Sequence, residues 1–241
     1  MDEKTPKILI VVPVYNEEKE LEVNILKLKS FLEQVKELEW HIVIADNAST
    51  DKTPEIGRKL ATQYKEISFF RLEEKGRGRA VKKAWQEFEA DIFVYMDIDL
   101  STDLKHLPAL INAIEAGFDI TIGSRLLPAS KVIGRTFKRE ILSRGYNLLI
   151  KALFGTHFSD AQCGFKAVSH KVVKELLPKI ADNKWFFDSE LLIVGEKSGF
   201  KIYEEPVTWV DNPGSTVRVL KTVTGDLKGL LRLFLSRPWR K

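Results

Sequence analysis

The feature that most constrains this chain is a series of continuous apolar runs, separated by helical patterns, several of which end in a carboxylate or a guanidinium. The runs are "KILIVVPVY" (7–15), "WHIVIAD" (40–46), "ISFFRL" (67–72), "DIFVYMD" (91–97) and "DITIGSR" (119–125). A strand that is apolar on both faces must be covered on both faces. Repeats such as Leu21, Ile25, Leu28 and Leu32 supply that cover at helical spacing. The alternation predicts an α/β chain with a mostly parallel central sheet and helices on both sides. Thr53-Pro54 predicts a helix start, with Thr53 as N-cap and Pro54 at the first helical position. Such sheets bind ligands beyond the carboxyl ends of their strands, where Asp46, Asp97 and Arg125 fall.

Beyond residue 125 the pattern loosens. Residues 135–154 read as one or two helices with apolar and basic character, and "CGFKAVS" (163–169) as a short strand. Residues 170–180 and 186–197 read as helical, "KIYEEPVTW" (201–209) as one strand, and 219–236 as a last helix. Without a repeat or a linker, residues 1–241 read as one domain. The single cysteine, Cys163, excludes an internal disulfide and fits a reducing compartment. The apolar run Ile8 to Val12 is too short for a signal peptide, and no stretch of about 18 apolar residues would span a membrane.

The stretch "FVYMDIDLSTD" (93–103) runs a core strand into Asp97, Asp99 and Asp103. Burying charge costs several kcal/mol unless it is paired or metal-bound (about that scale), so a cation is expected there. An EF-hand would need Gly and Glu at the sixth and twelfth positions of the loop, where Thr102 and Pro108 stand. Asp97 and Asp99 can instead share Mg²⁺ or Mn²⁺ with the phosphates of a ligand, while Asp103 suits a helix N-cap. "EKGRGRAV" (74–81) lacks the third glycine of a dinucleotide fingerprint, because Val81 occupies that place, and no P-loop occurs. Lys75, Arg77 and Arg79 could still meet phosphate. "PVYNEE" (13–18) and "ADNASTD" (45–51) bring Asn16, Glu17, Glu18, Asp46 and Asn47 to the same sheet edge.

These segments, with "GSR", "DAQCGFK", "FFDSELL" and "PVTWVDNPGS", occur in the order found in family 2 glycosyltransferases of the GT-A fold, which the chain resembles over about residues 7–220. It is most similar to the dolichyl-phosphate sugar synthases, the glucose branch before the mannose branch. The resemblance implies an inverting, metal-dependent hexose transfer from a nucleotide-sugar, UDP-glucose before GDP-mannose, to a polyprenyl phosphate. It implies a nucleotide-binding half (1–125), an acceptor-binding half (126–218) and a basic amphipathic C-terminal helix (219–241). Pro13, Tyr15, Asn16, Glu17, Asp46, Asn47, Lys75 and Gly78 would line the nucleotide pocket, with Asp46 on the base. Asp97 and Asp99 would hold Mg²⁺ or Mn²⁺ against the diphosphate. Gln162 and Asp188 would lie near the sugar, and Ser215 and Arg218 in a loop closing on the diphosphate. Arg125, Arg139 and Arg144 would meet the acceptor phosphate.

Three readings stay open. Asp188 either binds sugar hydroxyls, serves as a base, or caps the helix that starts near Ser189. The acceptor could be a glycan or protein hydroxyl instead of a lipid phosphate, or the chain could bind a nucleotide-sugar without turnover. Finally, residues 131–154 carry six basic and one acidic side chain, and residues 218–241 seven and one, on an otherwise acidic body. Val219, Leu220, Val223, Leu227, Leu230, Leu231 and Phe234 share one helical face, with Lys221, Lys228 and Arg232 on another. Ile141, Leu142, Leu149 and Phe154 accompany Arg139, Arg144 and Lys151. These helices are expected on the cytoplasmic face of a membrane, held peripherally; no nucleic-acid partner is expected.

Overall fold

The computed structural model describes residues 5–35, 38–211 and 219–240, and the side chains of 219–222 fall outside that description. The first half alternates as read. Strands β1 (Lys7–Val14), β2 (Glu39–Asn47), β3 (Ile67–Leu72) and β4 (Ile92–Met96) are joined by helices α1 (Leu21–Gln34), α2 (Thr53–Gln63) and α3 (Arg77–Glu87). Helix α4 (Leu107–Glu115) leads to β5 (Ile120–Ser124). The second half adds β6 (Lys131–Ile133), α5 (Phe137–Phe154), β7 (Phe165–Ser169), α6 (Phe187–Lys197), β8 (Ile202–Pro206), β9 (Thr208–Val210) and α7 (Val219–Ser236).

Seven strands form one sheet in the order β3-β2-β1-β4-β7-β5-β8. All pairings are parallel except the two made by β7, which runs antiparallel between β4 and β5. That inversion positions the site. A parallel strand ends at the carboxyl edge, whereas β7 begins there, so Cys163 and Gly164 arrive beside the end of β4. Alternate residues of β1 feed the two faces: Leu9 and Val11 face a core shared with α3, α5, α6 and α7, whereas Ile8, Ile10 and Val12 face one shared with α1 and α4.

Three expectations are corrected. "KIYEEPVTW" is two strands: β8 closes the large sheet, the chain turns at buried Val207, and β9 pairs with β6 in a separate two-stranded ribbon. Residues 172–179 form a wide π-type turn followed by a 3₁₀ turn, with Pro178 in the latter. Thr53 lies inside α2, and its hydroxyl accepts from Glu17 N at 2.7 Å. Asp51 is the residue that accepts from the N–H of Thr53, at 2.9 Å.

Helix α7 is docked more firmly than its amphipathic pattern implies. Leu230 and Leu233 are buried in the core, and Arg232 donates two hydrogen bonds (2.9 and 2.8 Å) to Glu190, whose side chain is wholly buried. Glu190 also accepts from Ala181 N and Asp182 N, so one carboxylate ties α6, α7 and the loop between them and β7. Arg232 is therefore a half-buried anchor committed to Glu190 and not a free surface cation, and Leu230 belongs to the core and not to an outward face. Hydrogen bonds to a charged group contribute about 1.5–3 kcal/mol. Arg232→Ala should accordingly speed amide exchange in α7 about tenfold or more, read by hydrogen-exchange mass spectrometry, while β1 and β4 keep their protection.

Candidate active site

The site is built on the carboxyl edge of β2, β1 and β4. Two loops there are laced into one unit. Asn16, at φ 57°, donates its backbone N–H to Ser49 Oγ and accepts from Thr50 N through Oδ1. Glu18 N donates to Asp51, and Lys52 N returns a bond to Glu18. The left-handed conformation is one that Asn tolerates better than most residues, and here its own side chain secures it. Asp46 is buried; its Oδ1 accepts from Ser49 N, and its Oδ2 has no hydrogen bond, with Arg71 Nε 3.6 Å away.

At the end of β4, Asp97 is 44% exposed and Asp99 accepts from Ser101 N at 3.0 Å. Leu100, between Asp99 and Ser101, takes φ 47°, a backbone strain found where a loop is held by its surroundings. Glu17 faces the same carboxylates. Burial and the charges of Glu20, Asp99, Asp51 and Asp97 push its pKa up to about 7. Burial and Asp97 likewise raise Asp99. An edge whose carboxylates repel one another is one that a cation would relieve. Among the described residues, no three His, Cys, Asp or Glu are grouped to hold an ion by themselves. A hard divalent ion bound at Asp97 and Asp99 would thus complete its shell with ligand phosphates and water, the usual magnesium arrangement.

The glycine-rich stretch does something other than cradle phosphate. Gly78 packs so tightly on α6 that an added Cβ would overlap Phe187, and its N–H donates to Lys184 O at 3.2 Å. Gly78 is a packing residue here. Gly76 N donates to Asn47 Oδ1, which occupies that side chain in holding the loop. Arg79 pairs with Glu74. Lys75 alone turns toward the nucleotide edge, its Nζ 3.1 Å from the centre of the Tyr15 ring.

Arg77 reaches inward, donating to Asp97 Oδ1 and to Asp188 Oδ2 at 2.6 Å each. Asp188 lies within the first turn of α6, and Lys166 Nζ donates to its Oδ1 at 2.8 Å. Both its oxygens hold cations and neither caps the helix, so the capping reading is overturned. Burial raises the Asp188 carboxyl to about 6 against the pull of Arg77, and burial lowers the Lys166 amine to about 7.

A second constellation gathers at β9. Arg125 donates through its backbone N–H, Nε and Nη2 to Asp160, at 3.0, 2.8 and 2.9 Å. Burial opposes ionisation of Asp160, but Arg125 prevails and holds the carboxyl down to about 2. Arg125 and Arg135 lie over Trp209, at 5.5 and 6.0 Å from the ring centre. Arg139 donates through Nη1 to both oxygens of Asp211. Arg125 and Arg139 thus both meet the β9 end of the ribbon, at Trp209 and Asp211, each already paired. Arg144 is exposed and bonded to Glu140 on its own helix, a carboxylate it shares with Arg135. Gln162 donates to Asp226 of α7 at 3.0 Å, and burial raises that carboxyl to about 7. Ser215 and Arg218, like the side chains of Val219, Leu220 and Lys221, lie outside the described residues.

The model of "Glycosyl transferase family 2" matches residues 9–177, a span that holds the whole carboxylate edge. The chain belongs to that family. It is 33% identical over 232 residues to "Glycosyltransferase AglD" of Haloferax volcanii, covering 94% of this chain and 36% of that protein. It is 32% identical over 223 residues to "Dolichyl-phosphate beta-glucosyltransferase ALG5A" of Trichomonas vaginalis (87% and 68%). It is also 32% identical over 235 residues to "Dolichol-phosphate mannosyltransferase" of Pyrococcus furiosus (94% and 63%). The chain therefore spans between about one third and about two thirds of the length of these relatives. The fold is similar to that of glucosyl-3-phosphoglycerate synthase from Mycobacterium tuberculosis, crystallised with Mn²⁺, UDP and phosphoglyceric acid (TM-score 0.71, 19% identity, 97% of this chain and 78% of that one). This bears out the GT-A expectation.

Several residues that line or support this edge carry little signal in the sequence. Asp160 and Lys166 stand inside the quoted "DAQCGFK", but a strand lysine reads as solvated until its burial is known. Arg135, Trp209 and Asp226 carry no signal of spacing. Gly164 is the most telling omission: an added Cβ would overlap Asp97 Oδ2 and crowd Arg77 Nη2. Gly164→Ala should cost about 1–3 kcal/mol of stability, the usual scale of overpacking, and weaken Mn²⁺ binding; denaturant melts and Mn²⁺ titration check both.

Proposed function

We propose that the protein is an inverting glycosyltransferase that moves a hexose from a nucleotide-sugar, UDP-glucose before GDP-mannose, to a polyprenyl phosphate such as dolichyl phosphate. The observation that carries this reading is the pairing of two sites on one edge. Asp97 and Asp99, with Glu17 in electrostatic reach of both, make an anionic edge suited to the cation of a diphosphate, and Arg125, Arg135 and Arg139, each paired with a carboxylate, gather around β9 as guanidinium donors suited to a second phosphate. Asp46, with one buried oxygen lacking a hydrogen bond, is positioned to accept from a base. Tyr15 and Lys75 flank the nucleotide, and Gln162 with Asp226 offers polar groups to sugar hydroxyls.

In the reaction, Asp97 and Asp99 would hold Mg²⁺ or Mn²⁺. A divalent ion bound there offsets the negative charge that builds on the leaving diphosphate. The acceptor needs holding more than activating, because a phosphate monoester with a second pKa of about 6 is largely ionised at neutral pH. Arg125 Nη1 and Arg139 Nε and Nη2 make no hydrogen bond among the described residues, so each side chain has donors beyond those its carboxylate partner takes. In-line attack by the phosphate oxygen on the anomeric carbon would invert its configuration. A hydroxyl acceptor would require a general base. Asp188, the acid expected for that role, has both oxygens committed to Arg77 and Lys166, which favours the phosphate acceptor.

An insoluble acceptor would be met at a membrane. Phe137, Ile141, Leu148 and Leu153 of α5 and Leu227, Leu231 and Leu235 of α7 are exposed, and Phe154 stacks edge-on with Phe234 to join the two helices. Lys138, Arg144 and Lys228 are exposed on the same helices. No helix among the described residues is long and apolar enough to cross a membrane. The proposed working position is peripheral, on the cytoplasmic face, with these helices in the interface.

Asp99→Ala should lose at least ~10²-fold in turnover, the scale of removing one stabiliser of developing charge, and EDTA should do the same to the wild type. The assay supplies labelled UDP-glucose or GDP-mannose with polyprenyl phosphate and extracts the product into organic solvent. Label that stays in water with every lipid acceptor, but enters a glycan or protein, would move the reading to a hydroxyl acceptor. Co-sedimentation with anionic liposomes should fall sharply when Leu227 and Leu231 are both changed to Ser; unchanged binding would remove the membrane face from the proposal.

A further inference from the structure

Arg77 opens α3 and bridges two carboxylates that belong to different parts of the site. Its Nη2 lies 2.6 Å from Asp97 Oδ1 and its Nη1 2.6 Å from Asp188 Oδ2, and its side chain is 10% exposed. The rings of Trp185 and Tyr95 stand 4.9 and 5.2 Å from the guanidinium carbon. The glycine at 78 lets α3 approach α6 closely enough for the reach, and the glycine at 164 leaves space for the Asp97–Arg77 contact. On the inner side, Asp188 is also held by Lys166, itself wholly buried. On the outer side stand Asp99 and Glu17.

A cation approaching Asp97 and Asp99 therefore meets a fixed positive charge already seated on one of the two. Like charges at such separations oppose each other strongly in a partly buried site. A nucleotide diphosphate changes the balance, because it brings negative charge and oxygen ligands together. We infer that Arg77 is a positioning residue that makes uptake of a divalent cation at Asp97 and Asp99 depend on the nucleotide diphosphate. This rests on the proposed reading of the edge as a diphosphate and cation site. Arg77 holds the affinity for the bare ion down, and the diphosphate restores it. By linkage, the ion strengthens nucleotide binding by the same factor. The consequence is that the ion and donor enter together and that the ion leaves with the nucleoside diphosphate product.

The test titrates wild type, Arg77→Gln and Arg77→Lys with MnCl₂, following free Mn²⁺ by electron paramagnetic resonance, without nucleotide and with saturating UDP or GDP. Arg77→Gln should bind bare Mn²⁺ at least ~10-fold more tightly than wild type, and the enhancement by nucleotide should shrink by a similar factor, since one neighbouring unit charge has gone. Arg77→Lys, which keeps the charge, should stay within about threefold of wild type. Asp188 retains Lys166 in both variants, and thermal melts verify folding. Bare Mn²⁺ affinity that is equal or weaker in folded Arg77→Gln overturns the inference. If that variant does not fold, wild type decides: nucleotide must raise its Mn²⁺ affinity at least ~10-fold, and Mn²⁺ binding indifferent to UDP and GDP overturns the inference. Wild type that binds neither nucleotide, with or without Mn²⁺, overturns the diphosphate reading and this inference with it. Nucleotide and Mn²⁺ binding that Arg77→Gln leaves untouched overturns the role of Arg77 alone.

Discussion

Four side chains alternate in sign from the solvent edge of β4 into the core: Asp97, Arg77, Asp188 and Lys166. Most of what is distinctive in this molecule follows from seating that string. A buried charge is tolerated only when it is paired and its remaining hydrogen-bonding capacity is met. Lys166 meets the requirement with Asp188 and with the carbonyls of Ala161 and Cys163. Arg77 meets it with two carboxylates from elements far apart in sequence, and only its Nε is left without a partner. Packing has to yield to this pattern. Glycine at 164 is space the string occupies, glycine at 78 lets α3 close on Phe187 of α6, and an inverted β7 is what carries Gly164 and Lys166 to the carboxyl edge.

The same economy of pairing governs the arginine cluster. Arg125 is matched to Asp160, Arg139 to Asp211 and Arg135 to Glu140, so the surface proposed for an acceptor phosphate is close to balanced in charge. A guanidinium has five donors in a fixed fork and can serve a structural carboxylate and a ligand at once. That property suits a site that must hold its shape while phosphates come and go. It also explains why the C-terminal helix is tied down by an ion pair: Arg232 and Glu190 hold α7 against α6, which keeps Asp226 beside Gln162.

The first half of the fold was legible because each strand there is apolar on both faces and each helix repeats at its own period; β1, β2, β3 and β4 and the helices between them fall where the pattern placed them. The second half obeys packing that the pattern does not encode. Lys166 sits in a core strand, and β8 and β9 divide one apolar run between two sheets. Asp46, Asp97, Asp99, Arg125 and Glu17 were readable because strand ends on one edge must converge. Their partners were not. Whether an arginine faces a ligand or a carboxylate depends on what the fold brings opposite it, and Arg77–Asp188 and Arg125–Asp160 join residues 111 and 35 positions apart. Gly78 illustrates the converse, a motif glycine that looks like ligand space and is packing space.

Asp97 and Asp99 are proposed here as the cation site of a bound diphosphate. The most direct measurement is anomalous diffraction at the manganese edge from crystals grown with MnCl₂ and UDP. The account predicts a single strong peak within coordination distance, about 2.0–2.6 Å, of a carboxylate oxygen of Asp97 or Asp99 and of the UDP phosphates. A nucleotide bound with no anomalous peak at these carboxylates, or with its diphosphate on another edge of the sheet, would contradict it.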